Sequence, residues 1–158
     1  MTRPVFFTAP GQSELDHSFI RPDWIVEGNP QMRSQRLLQS ADGTTSVFVW
    51  SCTAGRFNWY YRVDETLHIL SGEVFVTDHN GEVRRLGPGD VAFFPAGSRS
   101  LWHVPMEVKK FAVCRHTMPR PFGFVLRAWN RLVDHLSGFS GGGCALGAAV
   151  IDKPAAHP

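Results

Sequence analysis

The 158-residue sequence is poor in cysteine and has no long apolar run. Its three cysteines, Cys52, Cys114 and Cys144, are odd in number, widely spaced and form no Cys-x-x-Cys pair. This pattern is not that of a disulfide framework and favours a reducing compartment. No apolar segment is long enough for the core of a signal peptide or for a membrane span. We therefore expect a cytoplasmic protein with no membrane partner.

The chain also has no large excess of positive or negative charge. The formal net charge is +2, and the basic residues occur as scattered pairs such as Arg84-Arg85 and Lys109-Lys110. We predict that these pairs lie on solvated strand faces. No helix-turn-helix or basic recognition helix accompanies them, so we expect no nucleic-acid partner. With 43% hydrophobic and 19% charged residues, the chain has the composition of a globular domain that buries a core.

Short stretches rich in β-branched and aromatic residues alternate with turn residues from residue 22 to residue 118. The hairpin and turn signals are Asp42-Gly43, Asn80-Gly81, Gly87-Pro88-Gly89-Asp90 and Pro95-Ala96-Gly97. Two further breaks, at residues 53–55 and 105–107, read as the ends of strands. Short strands at this regular spacing predict an all-β sandwich or barrel over residues 22–118.

The two ends of the chain have different patterns. Residues 1–21 contain scattered prolines and predict an extended N-terminal arm. From residue 119 onward, apolar residues recur at three- and four-residue steps, which predicts one amphipathic helix from Phe122 to Leu136. Its apolar stripe needs a partner surface, such as the barrel wall or a second subunit. A flexible tail rich in Gly and Ala completes the third segment, residues 119–158.

The stretch from Gly55 to Trp102 carries the most informative spacing. Gly55 and Glu65 come first, and Gly72 follows Glu65 after six intervening residues. Gly89, Pro95 and Gly97 then stand in the segment GDVAFFPAG. This arrangement resembles the two sequence motifs of the cupin family, in which the glycines and the proline shape turns. The resemblance implies an all-β, RmlC-like jelly-roll β-barrel, followed here by the C-terminal helix.

The metal ligands of the cupin motifs are mostly exchanged in this chain. The two His-x-His places hold Trp59 and Tyr61, or Asn58 and Tyr60 if the alternative spacing applies. The second-motif His and Asn places hold Ser100 and Val104, so that only Glu65 matches a ligand. Tight iron, manganese or zinc sites use several imidazoles with a carboxylate. We therefore expect no metal of the usual cupin kind and no cofactor.

The aromatic residues at the ligand places of the cupin motifs show a more specific resemblance. They resemble the cupin subgroup that includes ethanolamine-utilisation cupins and ureidoglycine aminohydrolase-like domains of unknown function. In that subgroup a Trp follows the Pro-x-Gly turn, as Trp102 does here. The resemblance implies a homodimer. It does not imply aminohydrolase activity, because that enzyme needs a metal site and the matching ligands are missing.

A pocket hypothesis follows from the alternation of side chains along a strand. Trp59 and Tyr61 share one face, and Ser100 and Trp102 share another. If the cupin motif spacing applies, all four side chains point into the barrel near Glu65. This predicts a polar-aromatic pocket for a small polar metabolite, formed by these five residues. The alternative is that the aromatic rings simply fill a small barrel.

Two enzymatic alternatives involve Glu65. In the first, Glu65 and Tyr61 are an acid–base pair of an isomerase or lyase, although Glu65 could also be a structural carboxylate that caps amides. In the second, a metal is held by rearranged ligands, Glu65, His68 and His103. His68 follows Glu65 by three residues and should face the other side of a regular strand. His103 is out of phase with Ser100, so we predict that both are surface histidines or structural histidines with satisfied hydrogen bonds.

Overall fold

The structure, a computed structural model, describes residues 7–9, 14–118 and 120–137. This part of the chain contains nine strands, one short 3-10 helix at Pro22–Trp24 and one α-helix. The elements are β1 Asp16–Ser18, β2 Ile25–Gly28, β3 Met32–Gln39, β4 Thr45–Tyr60, β5 Asp64–Gly72, β6 Val74–Thr77, β7 Val83–Leu86, β8 Val91–Phe94, β9 Arg99–Arg115 and α1 Arg120–Ser137. The predicted flexible tail, residues 138–158, lies outside the described residues, as do residues 1–6 and 10–13 of the predicted N-terminal arm.

Two long strands, β4 and β9, organise the molecule. They pair along almost their whole length, and every strand pair is antiparallel. Residues 45–53 of β4 and 107–115 of β9 pair with each other and are flanked by β3 and β5, with β1 and β8 beyond them. Residues 55–60 of β4 and 99–104 of β9 are flanked by β2 and β6, with β7 beyond β6. The predicted all-β jelly roll with one C-terminal helix is confirmed.

Two of the predicted strand ends are wrong. No strand ends at these positions, because residues 53–55 lie inside β4 and residues 105–107 lie inside β9. The pairing register shifts between Thr53 and Gly55, which is an irregularity of the bulge type. Gly55 is needed there, since a β-carbon at this position would lie 2.9 Å from the ring of Pro30. The bulge lets each long strand leave one side of the jelly roll and continue on the other.

The hairpin signals are confirmed. Asp42-Gly43 joins β3 to β4, and Asn80-Gly81 joins β6 to β7. Gly43 has φ +71° and Gly81 has φ +84°, a region that glycine enters without steric cost.

The core lies between the two layers that β4 and β9 connect. Its largest fully buried side chains include Trp102, Phe57, Met32, Leu67 and Ile69. They come from both halves of the long strands and from β3 and β5. Inward residues alternate with exposed ones, as the strand period requires.

The helix α1 is slightly longer than predicted, with bounds at Arg120 and Ser137 instead of Phe122 and Leu136. It is strongly amphipathic, and its large apolar side chains are exposed. Among the described residues, no helix combines the length and the apolar character that crossing a membrane requires.

Candidate functional site

Five buried side chains with polar atoms meet inside the jelly roll, and we call them the interior polar cluster. Tyr61 follows the end of β4, Glu65 lies on β5, and Ser100 and Trp102 lie on the first half of β9, with Lys110 on its second half. All five are at most 7% exposed. The bends of the two long strands therefore bring together residues that are far apart in sequence.

The centre of the cluster is a buried ion pair. Lys110 Nζ donates a hydrogen bond to Glu65 Oε1 at 2.5 Å. The same ammonium nitrogen lies 4.6 Å from the ring centroid of Trp102, 4.7 Å from that of Trp50 and 5.9 Å from that of Trp59. Aromatic faces attract cations, and together with the carboxylate they replace part of the hydration that burial removes.

The sequence-based prediction for Lys110 is wrong, because this residue is 3% exposed and does not lie on a solvated face. The cause is the continuity of β9. Val108, Lys110 and Ala112 alternate on the inner face of this strand, and Lys110 stands opposite Trp50 of β4. Period-two alternation through residues 108–112 was a signal in the sequence that could have placed Lys110 in the interior.

A second network joins Tyr61, Ser100 and Trp102. Trp102 Nε1 donates to Tyr61 Oη at 3.0 Å and to Ser100 Oγ at 3.1 Å, and the two hydroxyl groups are 3.2 Å apart. Burial raises the pKa of the Tyr61 phenol far above its usual value; the hydrogen bond with Ser100 opposes this shift, and the charge of Glu65 adds to it. At neutral pH the phenol therefore keeps its proton and can donate a hydrogen bond.

The structure brings four of the five predicted pocket residues into the cluster, and Trp59 lies beside it. Trp59 is half-buried and packs edge-on against Trp50 at 6.0 Å. The alternative frame, with Asn58 and Tyr60 facing inward, does not hold because Tyr60 is 42% exposed. Glu65 and Tyr61, the predicted acid–base pair, have different hydrogen-bond partners, Lys110 and Ser100.

The three rearranged metal ligands are not brought together. His68 lies on the face of β5 opposite to Glu65 and is half-buried. His103 is exposed, with its ring 5.9 Å from that of Phe75. No group of three or more His, Cys, Asp or Glu residues in the described ranges is placed to hold a metal ion. The donor set around Glu65 does not suit a cation either, because the Lys110 ammonium group already stands at the carboxylate and would repel it.

Two cysteines lie close to this interior as free thiols, Cys52 buried and Cys114 half-buried. Burial raises the pKa of Cys52 to about 12 and that of Cys114 to about 11, while the Lys110 charge opposes both shifts. The charge of Glu65 adds to the shift at Cys114. Neither thiol is therefore ionised at neutral pH. Cys144 is outside the described residues.

A pocket of about 170 Å³ lies next to the cluster, between β6, β7 and β8. Its apolar wall is formed by Val76, Leu86, Ala92 and Phe94, and its polar rim by Asp78, Glu82 and Arg84. None of the five predicted pocket residues lines it. Phe94 lies between the pocket and the cluster: its ring stacks on Tyr61, with centroids 4.5 Å apart and planes 9° apart, and lies 6.2 Å from Trp102.

Comparison with known proteins relates this fold to a family. Residues 39–112 match the family described as the EutQ-like cupin domain. Over these residues the chain is a EutQ-like cupin domain. The predicted cupin resemblance, with its ethanolamine-utilisation subgroup, is therefore confirmed. Glu65, which the sequence resemblance predicts at the place of a motif ligand, binds Lys110 through its carboxylate.

Several solved structures are similar to this cupin. A putative ethanolamine utilization protein Q from Salmonella typhimurium is 27% identical, with a TM-score of 0.49, over 54% of this chain and 69% of that chain. A DUF861 family protein from Thermotoga maritima is 38% identical, with a TM-score of 0.39, over 40% of this chain and 73% of that chain. A DUF861 family protein of unknown function from Pseudomonas syringae is 24% identical, with a TM-score of 0.61, over 65% of this chain and 45% of that chain; this last likeness concerns the fold. No curated protein matches the chain.

Proposed function

We propose that this cupin binds a small polar metabolite at the interior polar cluster, which the ligand reaches through the pocket beside Phe94. The observation that carries the proposal is the buried Lys110–Glu65 ion pair inside an aromatic core. Burying two charges costs several kcal/mol each, and apolar residues of the same volume are often as stable. Paired charges and hydrogen-bonded hydroxyl groups in one buried cluster are therefore typical of a functional site.

The chemistry of the cluster limits the ligand. Lys110 and Glu65 cancel each other's charge, so a ligand without net charge does not disturb the balance. Tyr61 and Ser100 offer hydroxyl groups that donate and accept hydrogen bonds. The surrounding tryptophan rings favour a planar or sugar-like molecule. The pocket, at about 170 Å³, is smaller than the roughly 300–1,000 Å³ of common ligand pockets, which favours a small metabolite.

Access to the cluster depends on Phe94 in this proposal. Its ring forms a wall of the pocket on one side and stacks on Tyr61 on the other. We propose that a change of its χ1 rotamer opens a path from the pocket to the cluster. Phe94 is half-buried and lies on β8, which among the described strands pairs only with β5.

The test is a thermal-shift screen of the wild-type protein with small neutral polar metabolites, such as polyols, sugars, amides and hydroxy-ketones. We expect at least one compound to raise the melting temperature in a concentration-dependent way, because a ligand that binds only the folded state stabilises it. The proposal fails if no such compound does so, or if every stabilising compound acts equally on a variant with Phe94→Trp, which would block the pocket.

A second candidate is an isomerase or lyase reaction that uses Glu65 and Tyr61. It is supported by the presence of three titratable side chains, those of Tyr61, Glu65 and Lys110, in one buried cluster. Because burial raises the pKa of Tyr61, this residue would act as a hydrogen-bond donor and not as a base. Incubation of each hit with the protein, followed by mass analysis and chromatography, distinguishes an enzyme from a binding protein: an enzyme converts the compound, and a binding protein returns it unchanged.

The assembly and location also stay predictions. The cupin resemblance predicts a homodimer, and the cysteine pattern predicts the cytoplasm. Sedimentation velocity on the whole chain tests the first prediction, since a homodimer has twice the mass of the 17.6 kDa chain.

A further inference from the structure

The helix α1 has an apolar stripe along one face. We define this stripe as Phe122, Val125, Leu126, Trp129, Leu132 and Leu136. At about 100° per residue these positions fall within an arc of about 120°, with Trp129 near its centre. Their side chains are 46% to 76% exposed, which is unusual for so many large apolar groups in one place.

The opposite face of α1 carries the basic residues of the helix, together with the exposed Phe124. Arg127, Arg131 and His135 are all exposed there. By sequence, the helix contains three arginines and one aspartate, which gives it a formal charge of +2. The whole chain also has a formal charge of +2, so the positive and negative charges outside α1 cancel. The net positive charge of the protein is thus concentrated in the same 18 residues as the exposed apolar stripe.

We propose that α1 binds an anionic lipid surface, with its axis parallel to the bilayer plane and its apolar stripe in the interfacial region. A helix with an apolar face containing Trp, Phe and Leu and a polar face rich in Arg has the properties of such interfacial helices. Trp129 is suited to the centre of this face, since its ring prefers the boundary between headgroups and acyl chains. The helix lies on the membrane and does not cross it.

Charge complementarity favours lipid over a second copy of the helix as the occupant of the stripe. Two copies of α1 would bring two positively charged helices together, whereas an anionic surface attracts each basic residue near it. The sequence-based expectation of no membrane partner was argued from the lack of an apolar segment long enough to cross a bilayer. A helix that lies on the bilayer surface does not need such a segment.

Co-sedimentation of the whole chain with vesicles tests the proposal. We expect binding to vesicles of equal parts phosphatidylcholine and phosphatidylglycerol, at least about tenfold weaker binding to phosphatidylcholine alone, and a loss of binding as salt rises. Leu132→Glu and Asn130→Glu add the same charge to opposite faces of α1. We expect Asn130→Glu to weaken binding about fivefold, and Leu132→Glu to weaken it at least about tenfold more, because only the latter removes apolar contact.

Three results would overturn the proposal. The first is the absence of binding to the anionic vesicles, and the second is an equal effect of the two variants. The third is a protein that does not bind vesicles but forms a dimer, if Leu132→Glu dissociates this dimer and Asn130→Glu does not. A second copy of the chain would then cover the stripe. Both substitutions are at exposed positions, so unchanged melting temperatures of the variants serve as the folding control.

Discussion

At the scale of single residues, Lys110 places a positive charge within the core, where an isolated ammonium group would lose its hydration. Glu65 Oε1 accepts its hydrogen bond, and the rings of Trp50 and Trp102 flank its nitrogen. Such a pair adds little to stability compared with apolar residues, but removal of one partner leaves the other charge buried alone. The pair is therefore best tested by removing first one partner and then both.

We predict that Lys110→Met lowers the free energy of unfolding by about 3–5 kcal/mol, because Glu65 then keeps a buried charge without a partner. Lys109→Met, the same change at the neighbouring half-buried residue, should cost less than about 0.5 kcal/mol. The double variant Glu65→Leu/Lys110→Met should return to within about 1 kcal/mol of the wild type. Urea denaturation measures all three, and equal costs for Lys110→Met and Lys109→Met would show that the ion pair is not buried in solution.

The buried thiols predict a pH dependence. The pKa of Cys52 is about 12 in the folded chain, against an ordinary value of 9.0, because burial disfavours the thiolate. The folded state thus holds this proton more tightly than the unfolded state. The resulting stability is fully present below pH 9.0 and is lost as the pH rises towards about 12.

We expect the free energy of unfolding to fall between about pH 9 and pH 10, with a slope of at most about 1.4 kcal/mol per pH unit from one thiol. Cys52→Ala should make this slope shallower, whatever it does to the stability at neutral pH. Urea titrations at several pH values give the slopes. An identical slope in the variant would mean that the Cys52 thiol ionises as easily in the folded as in the unfolded chain.

At the scale of elements, the junction between β5 and β6 depends on Gly72. This residue has φ +73°, and a β-carbon there would clash with the carbonyl oxygen of Glu107 in β9. Gly81, in the β6–β7 hairpin, has a similar φ of +84° but no atom within 4 Å of such a β-carbon. The two glycines therefore share the conformational requirement and differ in the close approach.

We predict that Gly81→Ala lowers the free energy of unfolding by about 1 kcal/mol, because a side chain disfavours the left-handed conformation. Gly72→Ala should lower it by about 3 kcal/mol or more, because overpacking is added to the same conformational cost. Chemical denaturation of the two variants gives the comparison. If Gly72→Ala is no worse than Gly81→Ala, β5 and β9 are not as closely packed at this point as the structure has them.

The elements show which parts of the fold could be predicted from sequence. The Asp-Gly and Asn-Gly hairpins have a local cause in the φ of their glycines, so they were predictable. The continuity of β4 and β9 was not, because residues that end a strand and residues that form a bulge are of the same types. Gly55 is an example: its role depends on the distant Pro30, which no local pattern reveals.

At the scale of the whole molecule, the site was predictable only in part. The alternation of side chains and the cupin spacing correctly grouped Tyr61, Glu65, Ser100 and Trp102. They missed Lys110, because the lysine pair 109–110 was assigned to a solvated face and the alternation of Val108, Lys110 and Ala112 along β9 was not followed. They also could not show that Phe94 lies between the cluster and the neighbouring pocket, because that contact depends on the pairing of β8 with β5.

The central claim is that a small polar metabolite binds at the interior polar cluster, and neighbouring tyrosines provide its most direct test. Isothermal titration of a screening hit should compare the wild type with Tyr61→Phe and Tyr60→Phe. Tyr61 is buried in the cluster and Tyr60 is exposed, while the chemical change is identical. We predict that Tyr61→Phe weakens the Kd about tenfold through loss of one hydrogen bond and that Tyr60→Phe leaves it unchanged. Equal Kd values for the two variants would contradict the claim.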